Sequence, residues 1–256
     1  MLSPQNPSVL ISLKRKITGI ILVLVLILIG SFYLIHRNGS LSFSNLKQKA
    51  SEQPVSTTCP NSSKIKEANF TLNPAQNFST SLYQHGAYYC LEISQPYGPS
   101  QAFDHLSIDS NVITDRDTNN ILSTEDLNFD ENNDLSLLYS LSANGDAQNY
   151  YWLYDESKHQ FIYRSDLSEY RNVSADPDKK TISSFIYQGC AKSCYSEYTY
   201  QWKADSLEVI KVVEQVSNGD SMNSFTRTTS ELKDGILQQT NVEKLRINHA
   251  DELVPY

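Results

Sequence analysis

The chain has 256 residues, with 29 Asp and Glu against 21 Lys and Arg and a net charge of −8. That acidic balance gives no electrostatic help toward nucleic acid, whose phosphates call for clustered Lys and Arg; its natural complement is a basic surface. Sixteen Tyr and only nine Gly argue against a disordered chain and for strands with aromatic faces.

In chain order, residues 1–16 form a short tail ending in Lys14-Arg15-Lys16. Residues 17–35, ITGIILVLVLILIGSFYLI, are uncharged and apolar, long enough to cross a hydrocarbon core of roughly 30 Å as one helix. The run exceeds a signal-peptide core of about 7–15 residues, and no small-x-small cleavage site follows it. The basic cluster before it outweighs Arg37 just after it, so the N-terminus is expected in the cytoplasm and the rest outside the inner (plasma) membrane. All four cysteines lie beyond the span, in keeping with an oxidising compartment. Residues 36–56 are polar and Ser-rich and read as a flexible stalk. Residues 57–256 are the extracytoplasmic domain.

Short alternating segments broken by Asn, Asp and Gly clusters mark this domain as mainly β. Ser81–Ser94, Phe103–Ile108, Leu135–Leu141, Asn149–Tyr154 and Gln160–Tyr163 read as strands. Tyr198–Trp202 and Leu207–Val216 flank a turn at Ala204-Asp205-Ser206. A second hairpin is expected at Lys233-Asp234-Gly235, because Asp-Gly supplies the positive φ that tight turns need. No long amphipathic helix follows the apolar span. The expected fold is an antiparallel sheet domain: a sandwich, a barrel or a propeller-like stack of sheets.

Cys190 and Cys194 are separated by three residues, about 13 Å along an extended strand; a disulfide needs Cα atoms within about 7 Å. If they pair, the segment is a turn at a hairpin tip, and Cys59 then pairs with Cys90. Two other connectivities exist. A four-cysteine zinc site competes, but Cys59 and Cys90 do not form a second close-spaced knuckle.

The motif with the most chemistry is Asp126-Leu127-Asn128-Phe129-Asp130-Glu131-Asn132-Asn133-Asp134. Oxygen side chains fall at its positions 1, 3, 5, 7 and 9. In calcium loops of this spacing, side chains at 1, 3, 5 and 9 (Asp126, Asn128, Asp130, Asp134) and the main-chain carbonyl at 7 (Asn132) converge on the ion. Position 12 is Leu137, not a bidentate Glu, and a strand follows, so this is not a helix-loop-helix hand. Glu131 stands where Gly usually accommodates a left-handed backbone, at a cost of about 1–2 kcal/mol. The competing reading is an Asx-rich turn bonded to its own backbone.

Asp115-Arg116-Asp117 is a D-x-D; with an anchor and a stalk it suggests a type II membrane glycosyltransferase. Sequons at Asn38, Asn61, Asn69, Asn77 and Asn172 would suit that reading. No Gly-rich phosphate loop or alternating βα pattern accompanies it. The five histidines are scattered, and no G-x-S-x-G is present.

The order of the remaining pieces carries a resemblance. D-L-N-F-D…D-L at Asp126–Leu135 is followed by Y-Y-W-L-Y-D at Tyr150–Asp155, then Q-F-I-Y at Gln160–Tyr163, a cysteine-tipped hairpin, and Tyr200-Gln201-Trp202. Across roughly residues 100–216 this resembles a bacterial family of periplasmic, calcium-loop, propeller-like proteins. Some members are immunity proteins that neutralise lysozyme-like peptidoglycan hydrolases. The resemblance implies calcium on Asp126, Asn128, Asp130 and Asp134, and a binding protein rather than an enzyme, with a secreted cell-wall hydrolase as partner. Glu131 and the membrane span both depart from the family pattern. The loop 142–148, with Asn144, Gly145 and Asp146, and the cysteine tip with Lys192 are the expected partner-binding elements. A third reading is an adhesion or assembly module in which calcium only stiffens a loop.

Overall fold

The computed structural model describes residues 56, 58–60, 63–96, 98–114, 121–219, 223–247 and 252–255. The apolar span at 17–35, nearly all of the 36–56 stalk and the D-x-D at 115–117 lie outside these residues. Among the described residues no helix is long and apolar enough to cross a membrane. By contacts the chain divides into two units, Met1–Lys47 and Gln48–Tyr256. The fold below is that of the second.

Three antiparallel meanders follow one another. The first sheet is β1 (Ser63–Asn73), β2 (Gln76–His85), β3 (Tyr88–Ser94) and β4 (Gln101–Leu106). The second is β5 (Leu122–Glu125), β6 (Asp134–Leu141), β7 (Ala147–Asp155) and β8 (Gln160–Tyr163). The third has seven strands in sequence order: β9 (Ser174–Asp176), β10 (Thr181–Tyr187), β11 (Tyr195–Lys203), β12 (Ser206–Ser217), β13 (Ser224–Lys233), β14 (Ile236–Ile247) and β15 (Leu253–Pro255). Each is an open ladder, not a barrel. Two helical turns, α1 (Ser110–Thr114) and α2 (Ser165–Ser168), are short connectors.

The mainly β expectation holds, and the segment read as one strand at Ser81–Ser94 is two. The chain reverses at Gly86-Ala87, where Gly86 has φ +61°, a conformation glycine adopts at no steric cost. The hairpin at 233–235 forms as read, with Asp234 at φ 52° and Gly235 at φ 77°.

Strand β7 explains how the sheets stack. Side chains alternate along a strand, and both faces of β7 are apolar. Trp152 and Tyr154 enter a core with Leu82, Leu91, Phe103 and Phe161, between the first and second sheets. Their neighbours Tyr151 and Leu153 enter a second core with Leu127, Leu167, Ile182 and Tyr200, between the second and third sheets. A small third core joins Cys194, Phe225 and Leu245 on the third sheet.

Of the three connectivities left open by the sequence, the structure has Cys59–Cys90 and Cys190–Cys194, the latter across the tip of the β10–β11 hairpin. No cysteine is free.

Candidate functional site

The 126–134 motif is the β5–β6 connection, a strand-loop-strand element. Its backbone wraps around its own side chains. Asp126 Oδ1 accepts the N–H groups of Phe129 (2.7 Å) and Asp130 (3.2 Å), and Oδ2 accepts that of Glu131 (3.0 Å). Asn128 Oδ1 accepts from Asp130 N at 3.2 Å, and Asp130 Oδ1 from Asn132 N at 2.9 Å. Phe129 and Glu131 sit at φ 63° and 72°, so the left-handed turn expected at Glu131 is present without a glycine.

The outer anchors of the loop are fixed from elsewhere. Asn132 Oδ1 accepts from Asn73 Nδ2 (2.9 Å), and Asn133 N–H donates to Leu72 O (2.7 Å). Trp202 Nε1 donates to Leu127 O at 2.7 Å. Asp134 is buried, and its two oxygens accept the backbone N–H groups of Leu127 (2.7 Å) and Tyr154 (2.9 Å). Burial pushes the Asp134 carboxyl up to about 8, against the pull of those two donors.

The side chains of Asp126, Asn128 and Asp130 carry hard oxygens of the kind calcium takes, and each accepts hydrogen bonds from within the loop. The oxygens of Asn132 and Asp134 are likewise engaged with protein donors, so the five side chains form an Asx-rich turn bonded to backbone and neighbouring side chains. Among the described residues no three His, Cys, Asp or Glu side chains gather as a metal-holding group.

The two loops expected to meet a partner come together. In the 142–148 segment, Asn144 and Gly145 are exposed, while the Asp146 side chain is 1% exposed. Asp146 is therefore an internal anchor. Its Oδ1 accepts from Asn172 Nδ2 (2.9 Å) and from Tyr187 N (3.2 Å), and its Oδ2 lies 3.4 Å from Arg171 Nη1. Asn172 Nδ2 also donates to Phe185 O (2.8 Å), so this sequon's amide is engaged inside the protein. These bonds tie the β6–β7 turn to the end of β10, where the disulfide tip begins. As a result, a Cβ on Gly145 would lie 3.8 Å from Lys192 Nζ.

The tip itself is unusual backbone. Gly189, Cys190, Ala191 and Lys192 all have positive φ, a left-handed turn that L-residues resist. The disulfide closes it, and Gln215 Nε2 holds Ser193 O at 2.7 Å. The Lys192 ammonium sits 5.2 Å from the Tyr187 ring centroid, within cation–π range. Behind it Phe185 packs against both Tyr187 and Tyr195. The edge thus presents Asn144, Gly145, Lys192 and the part-exposed Arg171 beside an aromatic cluster. Sequence reading passed over Arg171 and marked Asn172 only as a sequon, because their structural role depends on a contact with Asp146, 25 and 26 residues away.

A cleft of about 340 Å³, lined by Ser123, Glu125, Asp134, Ser136, Tyr151 and Val173 among others, opens beside the second sheet. Burial raises the Glu125 carboxyl, partly offset by the Ala175 N–H it accepts. Of these residues the sequence marked only Asp134, since the lining is gathered from β5, β6, β7 and the segments at Leu127 and Val173.

No protein-family model matches the chain, and no curated protein matches it. A solved structure of a Xanthomonas type IV secretion system related protein is similar over 72% of this chain and 100% of its own, at 17% identity and a TM-score of 0.49. That likeness is too weak to carry a functional argument.

Proposed function

We propose that the chain is a membrane-anchored periplasmic binding protein that neutralises a peptidoglycan hydrolase of the lysozyme type, and is not itself an enzyme. The observation that carries this reading is the meeting of the 142–148 turn and the disulfide tip, with Lys192 Nζ beside Gly145. Hydrolases of this type hold a pair of carboxylates in a cleft. A cation on a disulfide-closed, hydrogen-bonded edge is a suitable plug, because little ordering entropy is left to oppose binding. In this reading Lys192 faces the carboxylates, Asn144 and Gly145 line the approach, and Asp146 positions the turn from within.

Calcium belongs to the proposal as a stabiliser of the β5–β6 loop. Asp126, Asn128 and Asp130 would hold it, and bound there it would add charge-neutralising order to that loop. The membrane anchor at 17–35, with the domain outside the inner membrane, completes the proposal.

The test is to mix purified residues 57–256 with a lysozyme-type hydrolase and measure residual digestion of cell walls. Wild type should inhibit, and Lys192→Glu or a shortened 142–148 loop should not. Equal inhibition by all three proteins removes the plug model; absence of inhibition by wild type removes the hydrolase reading. A periplasm-dependent reporter fused after Tyr256 should be active, and four reactive thiols in the native protein would contradict that topology.

A further inference from the structure

The two disulfides close on different backbones. Access does not separate them: Cys59 and Cys190 are both part-exposed, and their partners Cys90 and Cys194 are 0% and 4% exposed. Cys90 lies within β3, paired with Tyr83 in the ladder, and neither Cys59 nor Cys90 has a positive φ. Cys190 and Cys194 lie between the end of β10 and the start of β11, outside the ladder. The ring there takes the chain through Gly189, Cys190, Ala191 and Lys192 at φ 97°, 52°, 50° and 73°. Glycine takes such angles freely. The other three are L-residues in succession, whereas L-residues normally visit the left-handed region singly.

What holds this run is local. The N–H groups of Lys192 and Cys194 both donate to Gly189 O, at 3.0 and 3.4 Å, and Ser193 N–H donates to Cys190 O at 3.0 Å. The hairpin below needs no sulfur. Gln188 N–H donates to Cys194 O at 2.8 Å, Gln188 Nε2 donates to Ser196 Oγ at 2.7 Å, and Tyr187 pairs with Tyr195. Two effects therefore work against the small ring and not against the large one. A ring this short removes little entropy from the open chain, and the left-handed run is released once it opens. Strained disulfides are the readily reduced ones.

We propose that Cys190–Cys194 is a redox switch, opened by thiol–disulfide exchange with a dithiol while the domain stays folded. One thiolate of the dithiol attacks the part-exposed Sγ of Cys190. The S–S bond breaks, its electron pair leaves on Cys194 Sγ, and that sulfur takes a proton. The second thiolate then attacks the mixed disulfide and releases Cys190. The dithiol is oxidised to a disulfide, and its two protons end on the two cysteines. Lys192, two positions from Cys190, favours approach of the anionic attacker. Residues 189–193 lose their ring, and the Lys192 ammonium leaves its place over Tyr187 and beside Gly145. Asp146 still accepts the Tyr187 N–H, so the edge remains and only its cation is withdrawn. The switch is independent of the hydrolase reading, because it concerns the state of the tip and not what the tip meets.

The experiment uses full-length protein in detergent micelles, equilibrated with reduced and oxidised dithiothreitol at graded ratios. Free thiols are trapped by alkylation and each cysteine is read by peptide mass spectrometry, with circular dichroism recorded alongside. Cys190 and Cys194 should be trapped at a reduced-to-oxidised ratio at least about tenfold lower than Cys59 and Cys90. The spectrum should be unchanged at that ratio, and proteolysis at Lys192 faster. Ala191→Gly keeps both cysteines and removes one left-handed L-residue, so it should raise the ratio needed at the tip about threefold. Reduction of Cys59–Cys90 first, of both disulfides together, or of the tip only once the spectrum is lost, overturns the proposal. An Ala191→Gly protein whose tip opens at the wild-type ratio overturns it too.

Discussion

The carboxylate of Asp146 accepts the backbone N–H of Tyr187 at 3.2 Å, across 41 residues of chain. That bond and its neighbours from Asn172 and Arg171 are what bring the β6–β7 turn under the disulfide tip. Replacing Asp146 with Ala leaves the Tyr187 donor without its acceptor and removes the Arg171 partner. An unsatisfied buried donor costs about 1–3 kcal/mol, so Asp146→Ala should lose about 2–4 kcal/mol in urea unfolding. A loss below about 0.5 kcal/mol would show that the turn is held by other means.

The β5–β6 loop separates calcium from backbone strain. Glu131 at φ 72° lies in a region costing an L-residue about 1–2 kcal/mol, while glycine brings extra unfolded-state freedom. Glu131→Gly should therefore stabilise the domain by about 0.5–1 kcal/mol even in chelator. Millimolar calcium should raise the melting temperature further, since a ligand bound only to the native state stabilises it by mass action. Asp126→Ala with Asp130→Ala should abolish that rise. An unchanged melting curve with and without calcium leaves the loop as a turn closed by its own side chains.

The two disulfides should differ in worth. Cys59 and Cys90 are separated by 31 positions and Cys190 and Cys194 by 4. Loop-closure entropy gives about 3–4 kcal/mol for the first and about 2 for the second. Cys59→Ser with Cys90→Ser should accordingly lower the urea midpoint more than Cys190→Ser with Cys194→Ser. The second pair of substitutions should instead free the left-handed tip, read as faster proteolysis near Lys192. The opposite ranking would mean that the tip governs global stability.

Alkaline titration should report the second core. Burial pushes the Tyr151 phenol up to about 12 and raises Tyr200 further, with Tyr170 and Tyr198 adding to the effect at Tyr200. A phenol raised above its unfolded value of about 10 contributes stability that is fully present below that pH. The contribution is lost as pH rises through the folded value, because only the unfolded chain ionises easily. Stability should fall between about pH 10 and 12, and the ultraviolet signal of phenolate should appear in two phases. Tyr151→Phe should flatten part of that fall; a single phase near pH 10 contradicts the buried environment.

Local signals were readable and distant ones were not. Gln160–Tyr163 matched its strand, and Asp234-Gly235 gave its turn, because both depend on nearest neighbours. Strand β1 escaped notice: SKIKEANFTLN mixes charge and amide on a half-exposed edge, so its alternation is weak. The 126–134 spacing announced an oxygen-rich loop. It could not announce that Asp134 serves Leu127 and Tyr154, since Tyr154 lies 20 residues away on another strand. In the same way the 142–148 turn and the cysteine tip were each legible as turns, and their contact was not, because it rests on Asp146, Asn172 and Tyr187.

The chain has two tryptophans, and β7 gives them a shared fate. Trp152 lies in the core between the first and second sheets, and Trp202 packs against the core between the second and third. Tyr151 and Trp152, adjacent on one strand, belong to different layers, so pulling β7 out strips both at once. The domain cannot shed one outer sheet by fraying through the middle one. Fluorescence of single-tryptophan variants retaining either indole therefore follows the same unfolding curve, and the slowest amide hydrogen exchange falls along 150–154.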